Sequence, residues 1–132
     1  MKKDRTILLV DDDEDDRKLF FEAVKQVDET ITGISLSNGK DALAYLRDEN
    51  NPAPDFIFLD LRMHGLSGEK CLHEIKKDPR LNPIPVIVYT TSRETEESAA
   101  LIKSGAAHFM TKPTFPDDIY YMLSVVLEEN WK

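Results

Sequence analysis

Residues 6–13, TILLVDDD, decide the fold. Thr6 to Val10 (TILLV) reads as a strand covered on both faces, because an apolar run without alternation leaves no solvent side. Three carboxylates, Asp11, Asp12 and Asp13, stand where that strand stops. The same design recurs along the chain. Asp55 to Leu59 (DFIFL) runs into Asp60, Val86 to Tyr89 (VIVY) runs into Thr90, and Ala107 to Met110 leads to Lys112-Pro113. Four apolar runs thus end in groups able to bind a metal or a phosphate. In an open parallel α/β sheet, ligands bind outside the carboxyl ends of the strands.

Helical patterns separate these runs. Glu14 to Val27 carries Leu19, Phe20, Ala23, Val24 and Val27 on one stripe. Thr32 to Ser37 alternates apolar and polar, as expected of a strand near the sheet edge. Asn38-Gly39 reads as a turn, and Ala42, Leu43 and Leu46 mark a short helix. Asp48 to Pro54 is a breaker-rich loop, and Ser67 to Lys77 is a helix with Cys71, Leu72 and Ile75 inward. Glu94 to Lys103 is a helix with a weaker apolar face of Ala99, Ala100, Leu101 and Ile102, capped by Gly105. Asp117 to Glu129 carries a strong stripe of Ile119, Met122, Leu123, Val126 and Leu127. The order is (βα)5. Right-handed crossovers favour a doubly wound, five-stranded parallel sheet. With the most apolar runs central, the strand order is 2-1-3-4-5, which is flavodoxin-like.

The 132 residues fit a single domain, 1–132. A hydrophobic share of 41% against 32% charged residues describes a soluble globular chain. A net charge of -8 disfavours non-specific binding to nucleic acid or anionic membranes, so neither is expected as a partner. One cysteine, Cys71, excludes an intrachain disulfide and fits a cytoplasmic location; it reads as inert core. Met1 to Arg5 is charged and the apolar run behind it is short, which excludes a signal-peptide core or a membrane span.

In the order 2-1-3-4-5, strands one and three are neighbours, so the carboxylates of Asp11, Asp12 and Asp60 converge. Like charges at that spacing repel unless a cation compensates. Mg²⁺ suits one or two carboxylates, waters and a phosphoryl oxygen. Lys112 supplies a compact positive charge and Thr90 a hydroxyl donor. These are the parts of phosphoryl transfer onto a carboxylate.

ILLVDDD, FIFLDLRMHGLSG, VIVYTTS and GAAHFMTKP together resemble the signature of two-component response-regulator receiver domains, chemotaxis-regulator-like, over Ile7 to about Val126. The loop before strand three and the TTS after strand four look most like stand-alone receivers associated with bacterial phytochromes. The resemblance implies that Asp60 is the phosphoacceptor, that Asp12 ligates Mg²⁺ directly and that Asp11 does so directly or through water. It implies that the Arg62 backbone carbonyl is a further ligand, that Thr90 and Phe109 are the switch pair and that Lys112 contacts the phosphoryl group. It also implies a cis Lys112-Pro113 bond. The chain departs from the family pattern at His64, where Pro is usual, and at Thr114, where an apolar residue is usual.

The expected function is that of a stand-alone receiver without an output domain. A histidine kinase or phosphotransfer protein phosphorylates it with Mg²⁺ as cofactor. It is not an enzyme in its own right, and it signals through protein contacts, including a possible homodimer through helix 4, strand 5 and helix 5. Tyr120, Tyr121, Met122 and Trp131 are candidates for such a face. Two alternatives use the same residues. One is a pseudo-receiver binding module, left open by His64. The other is a phosphatase of the haloacid dehalogenase type, with Asp11 as nucleophile and Asp13 as acid/base; Asp15 stands where that family carries Thr or Val. Asp13 to Asp16 otherwise read as an acidic helix N-terminus, favoured by the helix dipole. His64, His73 and His108 lack metal-ligand spacing.

Overall fold

Strand and helix alternate five times in the computed structural model, which describes residues 5–63, 65–91 and 95–128. The elements are β1 (Thr6–Val10), α1 (Glu14–Val27), β2 (Thr32–Leu36), α2 (Gly39–Arg47), β3 (Phe56–Leu59), α3 (Gly68–Lys77), β4 (Val86–Thr90), α4 (Thr95–Lys103), β5 (His108–Thr111) and α5 (Pro116–Val126). All strand pairs are parallel, in the order β2-β1-β3-β4-β5, as the apolar runs required.

The period-2 geometry of each strand splits the core into two layers. Leu8, Val10, Ile57, Leu59, Val86 and Val88 face Ala42, Leu43 and Leu46 of α2, Cys71, Leu72 and Ile75 of α3, and Leu101 of α4. Ile7, Leu9, Phe58, Ile87 and Tyr89 face Phe20, Ala23 and Val24 of α1 and Ile119, Leu123 and Val126 of α5. Phe20 stacks edge-on against Phe58 at 4.9 Å between ring centroids, which locks α1 over the centre of the sheet. The β2 edge is the least buried strand, matching its alternating sequence. Among the described residues no helix is long and apolar enough to cross a membrane.

Helix ends differ from the sequence reading where side chains act as caps. Asn38-Gly39, read as a turn, is instead the start of a helix. The Asn38 side chain accepts from Asp41 N at 2.8 Å, so Asn38 is the N-cap and Gly39 the first residue of α2. Ser67 likewise caps α3 rather than joining it. α5 begins one residue earlier than expected, at Pro116, because Pro at the first helical position loses no hydrogen bond. β5 lies one residue later than expected. In α4, Leu101 is buried, whereas Ala99, Ala100 and Ile102 are exposed, so the expected apolar face reduces to one residue among those four. The Gly105 cap is present. Ala106 N donates to Leu101 O and Gly105 N to Ile102 O, with Gly105 at φ +114°, the paired bonds of a Schellman motif. His64 and Trp131 lie outside the described residues.

Candidate functional site

The carboxyl ends of β1, β3, β4 and β5 are held together by main-chain bonds that continue the sheet past its last strand residues. Asp11 N donates to Leu36 O, Asp60 N to Val10 O and Lys112 N to Thr90 O, at 3.1, 3.0 and 2.7 Å. The backbone positions of Asp11, Asp60, Thr90 and Lys112 are therefore set by sheet register.

Lys112 is the hub. Its Nζ donates to Asp11 Oδ2 at 2.6 Å, Asp16 Oδ2 at 2.8 Å and Asp60 Oδ2 at 3.2 Å. The ammonium also stands 5.7 Å from the centroid of the Tyr89 ring, a cation–π contact. Asp11 and Asp60 are buried, at 0% and 6% exposure, and Asp12 is exposed. The remaining oxygen of each buried acid is also engaged: Asp11 Oδ1 accepts from Asp13 N and Asp60 Oδ1 from Arg62 N. The Asp11 carbonyl accepts from Arg17 Nη1 at 2.7 Å, which ties the first turn of α1 to the strand end.

The electrostatics follow from burial. Burial pushes the Asp11 carboxyl up to about 6, and its hydrogen bonds from Lys112 and Asp13 only partly offset this. Burial alone pushes the Lys112 ammonium down. Its bonds to Asp11 and Asp16 and the charge of Asp60 outweigh that, and hold Lys112 above its usual range. One ammonium thus serves three carboxyl groups. One oxygen from each of Asp11, Asp12 and Asp60 lies within 4.8 Å of the others. An all-oxygen, anionic donor set short of positive charge fits a hard divalent cation.

Thr90 is buried, and among the described residues its Oγ1 has no hydrogen-bond partner. A buried hydroxyl without an acceptor costs free energy, so this donor stands ready for an incoming oxygen. Phe109 is partly buried against the layer beneath α2 and α3.

Two readings need correction. No cis peptide bond occurs among the described residues, so Lys112-Pro113 is trans. The trans form is the intrinsically preferred one even before proline, and it already delivers Lys112 to Asp11 and Asp60. Of the acids assigned to the helix start, Asp13 is indeed the N-cap, accepting from Asp16 N at 3.0 Å. Asp16 is more than that, since its carboxylate belongs to the Lys112 network. The preference of any helix N-terminus for acids hid it. Burial pushes the Cys71 thiol up to about 11, as an unreactive core residue requires.

Comparison with known proteins agrees with this geometry. The response regulator receiver domain model matches residues 7–124. Response regulator Rcp1 of Synechocystis sp. is 34% identical over 131 residues, covering 96% of this chain and 88% of Rcp1. The crystal structure of the Mn²⁺-bound form of Rcp1 superposes with a TM-score of 0.84 at 33% identity, covering 92% and 91% of the two chains. The phosphorylated cyanobacterial phytochrome response regulator RcpA superposes with a TM-score of 0.89 at 30% identity, covering 96% and 93%.

Proposed function

This chain belongs to the response regulator receiver domain family, and on that premise we propose that it is a cytoplasmic phosphorylation switch with Asp60 as its phosphoacceptor. The donor is a phosphohistidine on a histidine kinase or phosphotransfer protein. An Asp60 carboxylate oxygen attacks phosphorus, the phosphorus–nitrogen bond breaks, and the electron pair leaves with the imidazole. The product is an acyl phosphate, made and lost by the chain itself rather than turned over as an enzyme turns over substrate.

Asp11, Asp12, Asp60 and the Arg62 backbone carbonyl would hold a divalent cation, Mg²⁺, which when bound supplies charge neutralisation for the phosphoryl oxygens. The Mn²⁺ in the Rcp1 structure supports this assignment. Lys112 stands 3.2 Å from Asp60 Oδ2 and takes a phosphoryl oxygen as partner. Thr90 donates its unpartnered hydroxyl to another. Drawing Thr90 toward Asp60 frees space for Phe109 to turn inward, which repacks α4, β5 and α5. This is a local charge change biasing a two-state element. The altered face then binds a protein partner or a second copy of the chain.

One observation carries the reading. A single ammonium bridges the two buried acids at the ends of β1 and β3, while the hydroxyl at the end of β4 is buried without a partner among the described residues. The test is uptake of phosphate from acetyl phosphate with Mg²⁺. Wild type gains one phosphoryl group and Asp60→Asn gains none. Equal labelling of the two, or no labelling of wild type, defeats the proposal.

A further inference from the structure

We propose that Asp16 is a positioning residue that holds Lys112 in the unphosphorylated network and competes with the phosphoryl oxygen for its ammonium. This rests on the phosphoacceptor reading of Asp60 and adds a restraint on it.

An ammonium has three hydrogens to donate. Lys112 directs them to Asp11, Asp16 and Asp60, and its side chain is only 9% exposed, so all three are committed inside the protein. The Asp16 contact, at 2.8 Å, is shorter than the Asp60 contact, at 3.2 Å. Asp16 is held in place from its own backbone, because its N–H donates to the capping carboxylate of Asp13 at 3.0 Å. Asp11 and Asp60 both belong to the acid group that a cation would bind, whereas Asp16 lies outside it. Its hold on Lys112 therefore persists when the other two acids change their charge or their partners. For Lys112 to close on a phosphoryl oxygen it must loosen at least one of three contacts, and Asp16 opposes that movement from the α1 side.

The Asp16 side chain is 37% exposed. A half-exposed pair of this kind has a modest effect, a change of about two- to five-fold in an equilibrium. The direction is specific. Removing the Asp16 charge frees Lys112 and takes one negative charge from beside an incoming anion. Asp16→Asn is therefore expected to bind beryllofluoride with Mg²⁺ about two- to five-fold more tightly than wild type, measured calorimetrically on the full chain. Its uptake from acetyl phosphate is expected to quicken in the same ratio. Asp16→Glu, which keeps the charge, restores wild-type affinity. Asp15→Asn, on the same turn but exposed and without a contact to Lys112, leaves affinity unchanged and so controls for the general field.

A purely structural role predicts the opposite sign, since a loosened α1 weakens binding. Asp16→Ser, which keeps a polar side chain without charge, is a second variant should Asn disturb the fold; it is expected to tighten binding too. Unchanged or weaker binding in the folded charge-neutral variant overturns the proposal, as does an equal gain in Asp15→Asn. If wild type binds beryllofluoride and Asp16→Asn binds it equally, only the role of Asp16 falls. If wild type does not bind it, the phosphoacceptor reading falls first and takes this restraint with it.

Discussion

Lys112 shows how much chemistry one side chain carries here: it neutralises parts of three carboxylates and shields two of them from water. Thr90 is its complement, a buried donor with no acceptor among the described residues. Thr90→Val keeps the shape and removes the unsatisfied hydroxyl. It is expected to stabilise the unphosphorylated protein by about 1 kcal/mol, read from urea unfolding, while weakening beryllofluoride binding. Asp11 gives a pH dependence with a definite sign. Its carboxyl titrates at about 6 in the folded protein against an ordinary value of 3.8. The folded chain thus binds that proton more tightly than the unfolded chain, and in the absence of divalent cations stability falls as pH rises from about 4 to about 6, then levels. Asp11→Asn should remove that slope from urea unfolding in EDTA. Wild-type Mg²⁺ affinity should fall as pH drops through about 6, because the protonated acid is a poor ligand. These residues were legible in the sequence because each sits directly after an apolar strand. Asp16 was not legible as a partner of Lys112, since 96 positions separate the two and helix capping already explained an acid there.

Among the elements, α3 shows how tightly a helix start is fitted to the phosphoacceptor. A Cβ on Gly68 would fall 2.2 Å from Asp60 O and 2.6 Å from Leu61 Cα, both backbone atoms. The helix approaches the loop after β3 so closely that only glycine fits, and Gly68 N donates to Leu61 O. Gly68→Ala is expected to destabilise the protein by about 1–3 kcal/mol, seen as a lowered thermal midpoint. It should also slow phosphate uptake, because the displaced backbone is that of Asp60 itself. The strands and the stripes of α1, α3 and α5 could be read from periodicity, since burial there is by large apolar residues. Boundaries set by caps could not: whether Asn38 turns the chain or starts a helix depends on where Asp41 N points. Nor could the burial of α4, whose alanines suit either face of a helix.

At the level of the whole molecule, two apolar layers hold a sheet whose carboxyl edge is acidic, while Ile102 of α4 and Tyr121 and Val125 of α5 stand exposed. If α4 and α5 carry the output surface, beryllofluoride with Mg²⁺ should shift the protein from monomer to dimer in size-exclusion with light scattering. Tyr121→Glu should prevent the shift without reducing phosphate uptake. The strand order was legible because the three most apolar runs had to be central, whereas the partner of such a surface leaves no mark in a single chain's pattern. The most direct measurement is to map the phosphoryl group. After incubation with acetyl phosphate and Mg²⁺, borohydride reduces an acyl phosphate to homoserine, which peptide mass spectrometry locates. The site described here requires homoserine at position 60 alone. Homoserine at Asp11 or Asp12, or at no position, would contradict it.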